Sequence, residues 1–253
     1  MDPRPVVLVT GAARRIGRAI ALDLAMHGYD VAVHCKSSVA DAQTTAGLLR
    51  SHGVRAEVFV ADLADEATCA GLLPRIAAHF GAIAAVVNNA SLFEHDDVAS
   101  FSYAAMDRHW RANTAPAIIL ARALHALGGK VVVNLLDQKL WNPNPDHLSY
   151  SLSKAALEAA TTMLALALAP RLRVCGVAPG VTLLSGDMAD AEFQAAHQMT
   201  PLQRSSTPED VARAVRFLIE SPAITGTTLL VDGGQHLQAQ ARDVMFLARE
   251  NKA

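Results

Sequence analysis

The stretch VVLVTGAARRIG, Val6 to Gly17, runs four uninterrupted apolar residues into a turn framed by two glycines. A continuous apolar run of that length, rich in β-branched residues, suits a parallel strand buried on both faces. Gly11 permits a tight turn at the strand's end. Gly17 lets the following segment, which carries helical periodicity, pack closely on the strand. A helix that starts there points free N–H groups at whatever lies beyond the turn, and an anion such as a pyrophosphate satisfies them. Two glycines alone are weak evidence; their place between a first strand and a first helix gives them weight.

The same strand–helix alternation continues to the end of the chain. Strands are expected at Pro5–Thr10, Val31–Cys35, Glu57–Asp62, Ile83–Asn88, Lys130–Leu136, Arg173–Val177 and Thr228–Val231. Helices are expected near Ile16–His27, Ala40–Ser51, Glu66–Phe80, Met106–Leu127, Ser149–Ala169 and Pro208–Glu220, the last opened by the cap Thr207-Pro208-Glu209-Asp210. This order implies an α/β fold: a single Rossmann-type, doubly wound, seven-stranded parallel sheet flanked by helices. The whole chain, 1–253, reads as one dinucleotide-binding domain, with 237–253 as a C-terminal extension. Val244 to Leu247 are too apolar to dangle, so this tail is expected to pack on its own or a neighbouring subunit. Ser149–Ala169 and Asn113–Leu127 are apolar nearly all round, whereas a helix on a sheet needs one stripe. Self-association through these helices is expected, most simply as a homotetramer.

Composition narrows the function classes. A net charge of −2 gives no reason to expect nucleic acid or anionic lipid as a partner. Cys35, Cys69 and Cys175 are scattered and read as reduced, buried hydrophobes, and the ten histidines show no ligand spacing, so no metal is assigned. The opening MDPRP lacks the pattern of a signal peptide, and the longest greasy stretch, Ala155–Ala169, is too short and too polar to span a bilayer. A cytoplasmic protein is expected.

Strand two ends in Cys35-Lys36-Ser37-Ser38, where an acid would grip the ribose 2′-hydroxyl of NAD. A cation and two hydroxyls suit a 2′-phosphate instead, and Arg14 adds a second cation. NADP(H) is therefore the favoured cofactor; the competing reading is solvated loop charge. Asp62, at the end of strand three, is placed to accept from an adenine amino group. Further along, NLLDQKLWNPNPDHLSYSLSKAAL, Asn134 to Leu157, sets Tyr150 and Lys154 four apart, on one helix face, with Asp137 thirteen residues before the tyrosine.

With these residues in hand, the chain resembles the short-chain dehydrogenase/reductases over essentially its whole length. The matches are Thr10-Gly11 to Gly17, Asp62, Asn88-Asn89-Ala90, Asn113, Tyr150 with Lys154, Pro179-Gly180 and Asp232-Gly233-Gly234. The resemblance implies catalytic roles for Tyr150, Lys154 and Asn113, the last supporting a water near the lysine, and places the nicotinamide near Pro179–Thr182. It implies cofactor contacts from Gly11, Arg14, Arg15, Ile16 and Gly17, and from Lys36, Ser37, Ser38, Asp62 and Leu63. Further contacts follow at Asn89, Ala90, Ser91, Tyr150, Lys154, Pro179, Gly180 and Val181. Three departures point to a branch: Arg15 replaces the middle glycine, Ser91 follows Asn88-Asn89-Ala90 with Phe93 close behind, and Asp137 stands where the family has serine. Together they resemble the pteridine reductases and the bacterial dihydromonapterin/dihydrofolate reductases.

The departure at Asp137 has a physical consequence. In carbonyl reduction the oxygen becomes an alkoxide, which hydroxyl donors stabilise. An ionised carboxylate about 4 Å away opposes that charge by about 4 kcal/mol at an effective dielectric of about 20. A pterin removes the conflict: its amino and ring N–H groups suit an acid, and the nitrogen of its reducible C=N bond needs a proton. Asp137, Tyr150, Ser91, Phe93 and Arg15 are the substrate candidates, with Phe93 stacking on the ring and Arg15 meeting pyrophosphate and a ring atom. The loop from Gln138 to His147 and the segment Leu183–Met199 are expected to border the substrate, the latter as a mobile lid. Two other readings stand beside this NADPH-dependent dihydropterin reductase. One is a carbonyl reductase acting on a 3-oxoacyl or other ketone; the other is a nucleotide-binding regulator without turnover.

Overall fold

The computed structural model describes residues 4–184 and 189–250. Seven parallel strands form one sheet: β1 (Val6–Val9), β2 (Asp30–Cys35), β3 (Ala56–Val60), β4 (Ile83–Asn88), β5 (Val131–Leu135), β6 (Arg173–Pro179) and β7 (Thr228–Val231). Their spatial order is β3-β2-β1-β4-β5-β6-β7, so the winding reverses between β1 and β4. That reversal opens a crevice at the carboxyl ends of the central strands. The continuous apolar runs are explained by what covers them. Val7 and Val9 face helices α1 (Arg15–Met26), α2 (Val39–Arg50) and α8 (Pro208–Glu220), while Val6 and Leu8 face α3 (Glu66–Phe80), α5 (Ala115–Ala126) and α6 (Leu148–Leu168). Both faces of β1 are therefore dry.

Local chemistry sets the helix boundaries. Thr207 caps α8 by accepting from the Asp210 N–H at 3.2 Å, and the Asp210 carboxylate accepts from the Thr207 N–H at 3.0 Å. The expectation of one helix over Met106–Leu127 needs correction. The chain instead forms α4 (Tyr103–His109), a π-helical turn over Trp110–Thr114, and then α5. Pro116 stands in the first turn of α5. It has no N–H to donate, and its ring crowds the carbonyl four residues back, so an α-helix cannot run through it unbroken. Two more helices follow in the second half, α7 (Asp190–Gln198) and α9 (Val244–Glu250). The expected lid segment thus contains a helix, and its residues 185–188 lie outside the described residues. None of the helices described is long and apolar enough to cross a membrane.

A polar chain runs through the core beneath α6. Asn88 on β4 donates to the Asn134 side chain on β5 at 2.8 Å, Asn134 donates to Thr161 Oγ1 on α6 at 2.9 Å, and Thr161 donates to the Leu157 carbonyl at 2.8 Å. Asn134 is fully buried and Thr161 nearly so. Asn134→Ala strands the donors and acceptors on both sides of it, at a cost of about 1–3 kcal/mol. The melting temperature is expected to fall by roughly 3–9 °C, read by calorimetry.

Candidate active site

The carboxyl ends of β1, β2, β4, β5 and β6 surround a cleft of about 680 Å³. One end is the turn after β1. Gly11 takes a left-handed φ of +63°, and a Cβ on Gly17 would meet the Gly11 carbonyl oxygen at 2.3 Å, so both positions require glycine. Arg15 also adopts a left-handed φ, +55°. A non-glycine residue there costs on the order of 1–2 kcal/mol, and the strain holds the guanidinium at the mouth of the cleft. His34 ties the turn down: the Gly11 N–H donates to Nδ1 at 3.1 Å, and Nε2 lies 3.1 Å from the Ala61 carbonyl. Those partners require the neutral ring with its proton on Nε2, and burial lowers the histidine's pKa in the same sense. Asn89 secures the turn from β4, donating to the Thr10 carbonyl at 2.9 Å.

Most of the residues expected at a dinucleotide site meet here. Gly11, Arg14, Arg15, Ile16, Gly17, Lys36, Ser37 and Ser38 line one end, and Asn89, Ala90, Ser91, Pro179, Gly180 and Val181 line the middle. The N-terminus of α1, with no acid in its first turn, opens onto this end. The set fits a phosphorylated dinucleotide, cations and hydroxyls standing where the strand-two acid of an NAD site would be. Asp62 and Leu63 fall outside the cleft lining. Lys36 instead pairs with Asp62 at 2.8 Å, and Arg14 with Asp41 at 3.1 Å and with Ser38. All four charges are well exposed, so such pairs yield at little cost to a doubly charged phosphate.

At the other end Tyr150 Oη donates to Asp137 Oδ2 at 2.8 Å, while Asp137 Oδ1 accepts from the Lys139 N–H at 2.9 Å. Asp137 therefore turns into the cleft and away from bulk solvent. It keeps some surface open to the cavity but lies deep in the protein, and loss of water raises its carboxyl pKa, against the lowering effect of its hydrogen bonds. Burial first, then the Asp137 charge, raises the Tyr150 phenol well above its usual range. Lys154 lies behind the tyrosine, its ammonium donating to the Leu135 carbonyl at 2.7 Å and standing 5.8 Å from the phenol ring. Burial lowers it to about 8. Phe93 is half-exposed at the cleft edge, with its ring 4.7 Å from that of Tyr150 and stacked on His147 at 4.2 Å.

Asn113 is held between the loop after β4 and helix α6. Carried on the π-helical turn, its side chain donates to the Leu92 carbonyl and Ser153 Oγ and accepts from the Leu92 N–H and Ser91 Oγ. With the hydrogen-bonding capacity of its side chain filled, it braces the loop bearing Ser91 and Phe93. Gln138 and Lys139, from the loop expected to border the substrate, do line the cleft; His34, Gln235, and Asp243, Val244 and Met245 of the C-terminal segment line it without having been expected there. The apolar tail was legible as a packing segment, and it does pack on its own subunit. That it reaches this cleft was not legible.

Comparison with known proteins places this geometry. A family model described as Enoyl-(Acyl carrier protein) reductase matches residues 11–236, spanning the first turn, the Asp137–Tyr150–Lys154 group and the Asp232-Gly233-Gly234 end. The chain is a short-chain dehydrogenase/reductase. Within that family it is similar to FolM alternative dihydrofolate reductase 1 from Brucella suis, solved in complex with NADP. Identity is 42%, the TM-score is 0.89, and 95% of this chain and 98% of that one are covered. Pteridine reductase 1 of Leishmania tarentolae is 33% identical, covering 92% of this chain and 96% of its own. A 3-oxoacyl-[acyl-carrier-protein] reductase of Aggregatibacter actinomycetemcomitans, FabG, is also 33% identical, over 90% of this chain and 98% of that protein. Overall identity thus leaves the reductase's substrate to be decided by the site.

Lys154 yields a test of this environment. Its pKa is 10.5 in the unfolded chain and about 8 in the folded one, so folding expels a proton between those values and stability rises with pH there. Below pH 8 the buried ammonium costs up to about 3 kcal/mol. Lys154→Met without cofactor is expected to melt higher than the parent at pH 7. The difference should shrink steadily between pH 8 and 10.5 in thermal melts.

Proposed function

We propose that this chain is an NADPH-dependent reductase of a dihydropterin, acting on a C=N bond of a dihydromonapterin-, dihydrobiopterin- or dihydrofolate-like substrate. The observation that carries the reading is the 2.8 Å hydrogen bond from Tyr150 to Asp137 inside the cleft. It sets an acceptor with negative character at the point where a ketone's oxygen would gather charge. Bound NADPH supplies a hydride. Arg14, Lys36, Ser37 and Ser38 hold its 2′-phosphate, displacing the surface pairs they make with one another and with nearby acids. Gly11, Arg15, Ile16 and Gly17 seat the pyrophosphate, and Asn89, Ala90, Ser91, Pro179, Gly180 and Val181 flank the nicotinamide end.

Phe93 covers one face of the flat heterocycle and the nicotinamide the other, Arg15 meets a ring atom at its edge, and Asp137 accepts from its amino or ring N–H donors. Tyr150 passes its phenolic proton to the ring nitrogen. It regains one from water, by way of Asp137, whose carboxyl pKa is raised above its usual value by burial. Lys154, close to half-protonated around pH 8, supports the phenol from behind. Asn113 holds the Ser91–Phe93 loop in place. The likeness to FolM and to pteridine reductase 1 supports this reading over ketone reduction. Leu152, Met163 and Leu166, left exposed on α6, support association with further copies of the chain, as a tetramer.

The discriminating measurement is NADPH oxidation with dihydromonapterin, dihydrobiopterin and dihydrofolate beside a panel of ketones, including a 3-oxoacyl thioester. Turnover of at least one dihydropterin is expected, and Asp137→Ser should lower it by at least ~100-fold while admitting ketones. Ketone turnover by the parent with no pterin turnover overturns the reading.

A further inference from the structure

The C-terminal segment is fastened at the substrate end of the cleft by charge. Lys139, two residues after Asp137, is almost fully buried, and its ammonium donates to Asp243 Oδ2 at 3.1 Å and to the Asp146 carbonyl at 2.7 Å. The Asp243 N–H donates to the Asp146 carboxylate at 2.7 Å, and Arg242 grips that carboxylate with both Nε and Nη2 at 2.9 Å. Phe246 closes the seam against His95 and His147. Asp243 and Lys139 thereby line the same cavity as Asp137 and Tyr150, brought there from opposite ends of 104 residues of sequence.

We propose that Asp243 and Lys139 are a positioning pair of opposed charges that sets how tightly Asp137 and Tyr150 hold the proton used in reduction. The proposal rests on the reading that those two groups deliver that proton. A charge lining the same cavity acts on both groups through an effective dielectric well below that of water. The Asp243 carboxylate raises both the Asp137 carboxyl and the Tyr150 phenol. The Lys139 ammonium, 3.1 Å from that carboxylate, carries the opposite charge and so acts in the opposite sense. Other charged or titratable groups stand around the acid pair: Lys154 from α6, Arg15 from the first turn, and His109 from α4. His147, Asp146 and Arg242 lie behind the aromatic seam. None of these joins Asp137 by a backbone hydrogen bond, as Lys139 does. Removing one member of the pair leaves the other uncompensated, so the two deletions must act in opposite directions.

The test compares Asp243→Asn, Lys139→Met and the double variant. The first readout is kcat/KM for a dihydropterin against pH, where the rate falls on the alkaline side as the donor loses its proton. That limb is expected ~1 pH unit lower in Asp243→Asn, ~1 unit higher in Lys139→Met, and within ~0.3 of the parent in the double variant. The second readout needs neither substrate nor cofactor. The chain has three tyrosines, so Tyr29→Phe with Tyr103→Phe leaves Tyr150 the only phenol, and its ionisation can be followed by ultraviolet difference absorption. The phenol should ionise at lower pH in Asp243→Asn than in Lys139→Met. If the pair only holds the segment in place, either single change lets water in. Both then move the phenol the same way, toward about 10, and Asp243→Glu restores nothing that Asp243→Asn lost; that result overturns the proposal. Absence of pterin turnover with the phenol shifts intact sinks the substrate reading and leaves the pairing standing.

Discussion

A carboxylate held 2.8 Å from a phenol deep in the cleft is the interaction on which the proposed chemistry turns. Two acidic groups so close cannot both be charged without severe cost, so the pair carries at least one proton and shares it. A serine in place of Asp137 would bring a donor and no charge. The aspartate brings an acceptor and a store for a proton. The proposed preference for nitrogen-rich rings over oxygen anions rests on that exchange of one side chain.

The pair is useful because everything around it is stiff. α6 delivers Tyr150 and Lys154 from a start pinned by Asp96, which accepts from the Ser149 N–H at 2.9 Å and from its hydroxyl. Asp137 stands two residues beyond the end of β5, and the Lys139 N–H fixes the carboxylate's orientation. Opposite, backbone strain at Arg15 persists because His34, Asn89 and the two glycines over-determine the turn. Strain located beside a cleft, and paid for by hydrogen bonds on three sides, marks a residue held for use.

Much of this was legible in the sequence because it is local. Continuous apolar runs named the strands, the glycines at 11 and 17 named the turn, and a spacing of four placed Tyr150 and Lys154 on one face. Asp137 stood out by being an acid at the end of a dry strand. What escaped has a common cause in contacts between distant segments. Helical periodicity from 106 to 127 concealed the break that Pro116 forces. The filling of Asn113's hydrogen bonds depends on a loop twenty residues earlier. Lys36 and Asp62 were assigned separate tasks, and they meet because β2 and β3 are neighbours. His34 looked like one more strand residue, and nothing near Asp243 in sequence hints at Lys139.

The polar chain from Asn88 through Asn134 to Thr161 bears on how such a protein can diversify. Apolar packing tolerates many shapes of side chain but resists rotation of a helix only weakly. A directional bond from one strand to the helix, braced from the next strand, behaves like a rivet, setting the helix's azimuth whatever hydrophobic residues surround it. The greasy flanks of α6 are then free to drift with the needs of neighbouring surfaces, while the depth and aim of its reactive pair stay constant.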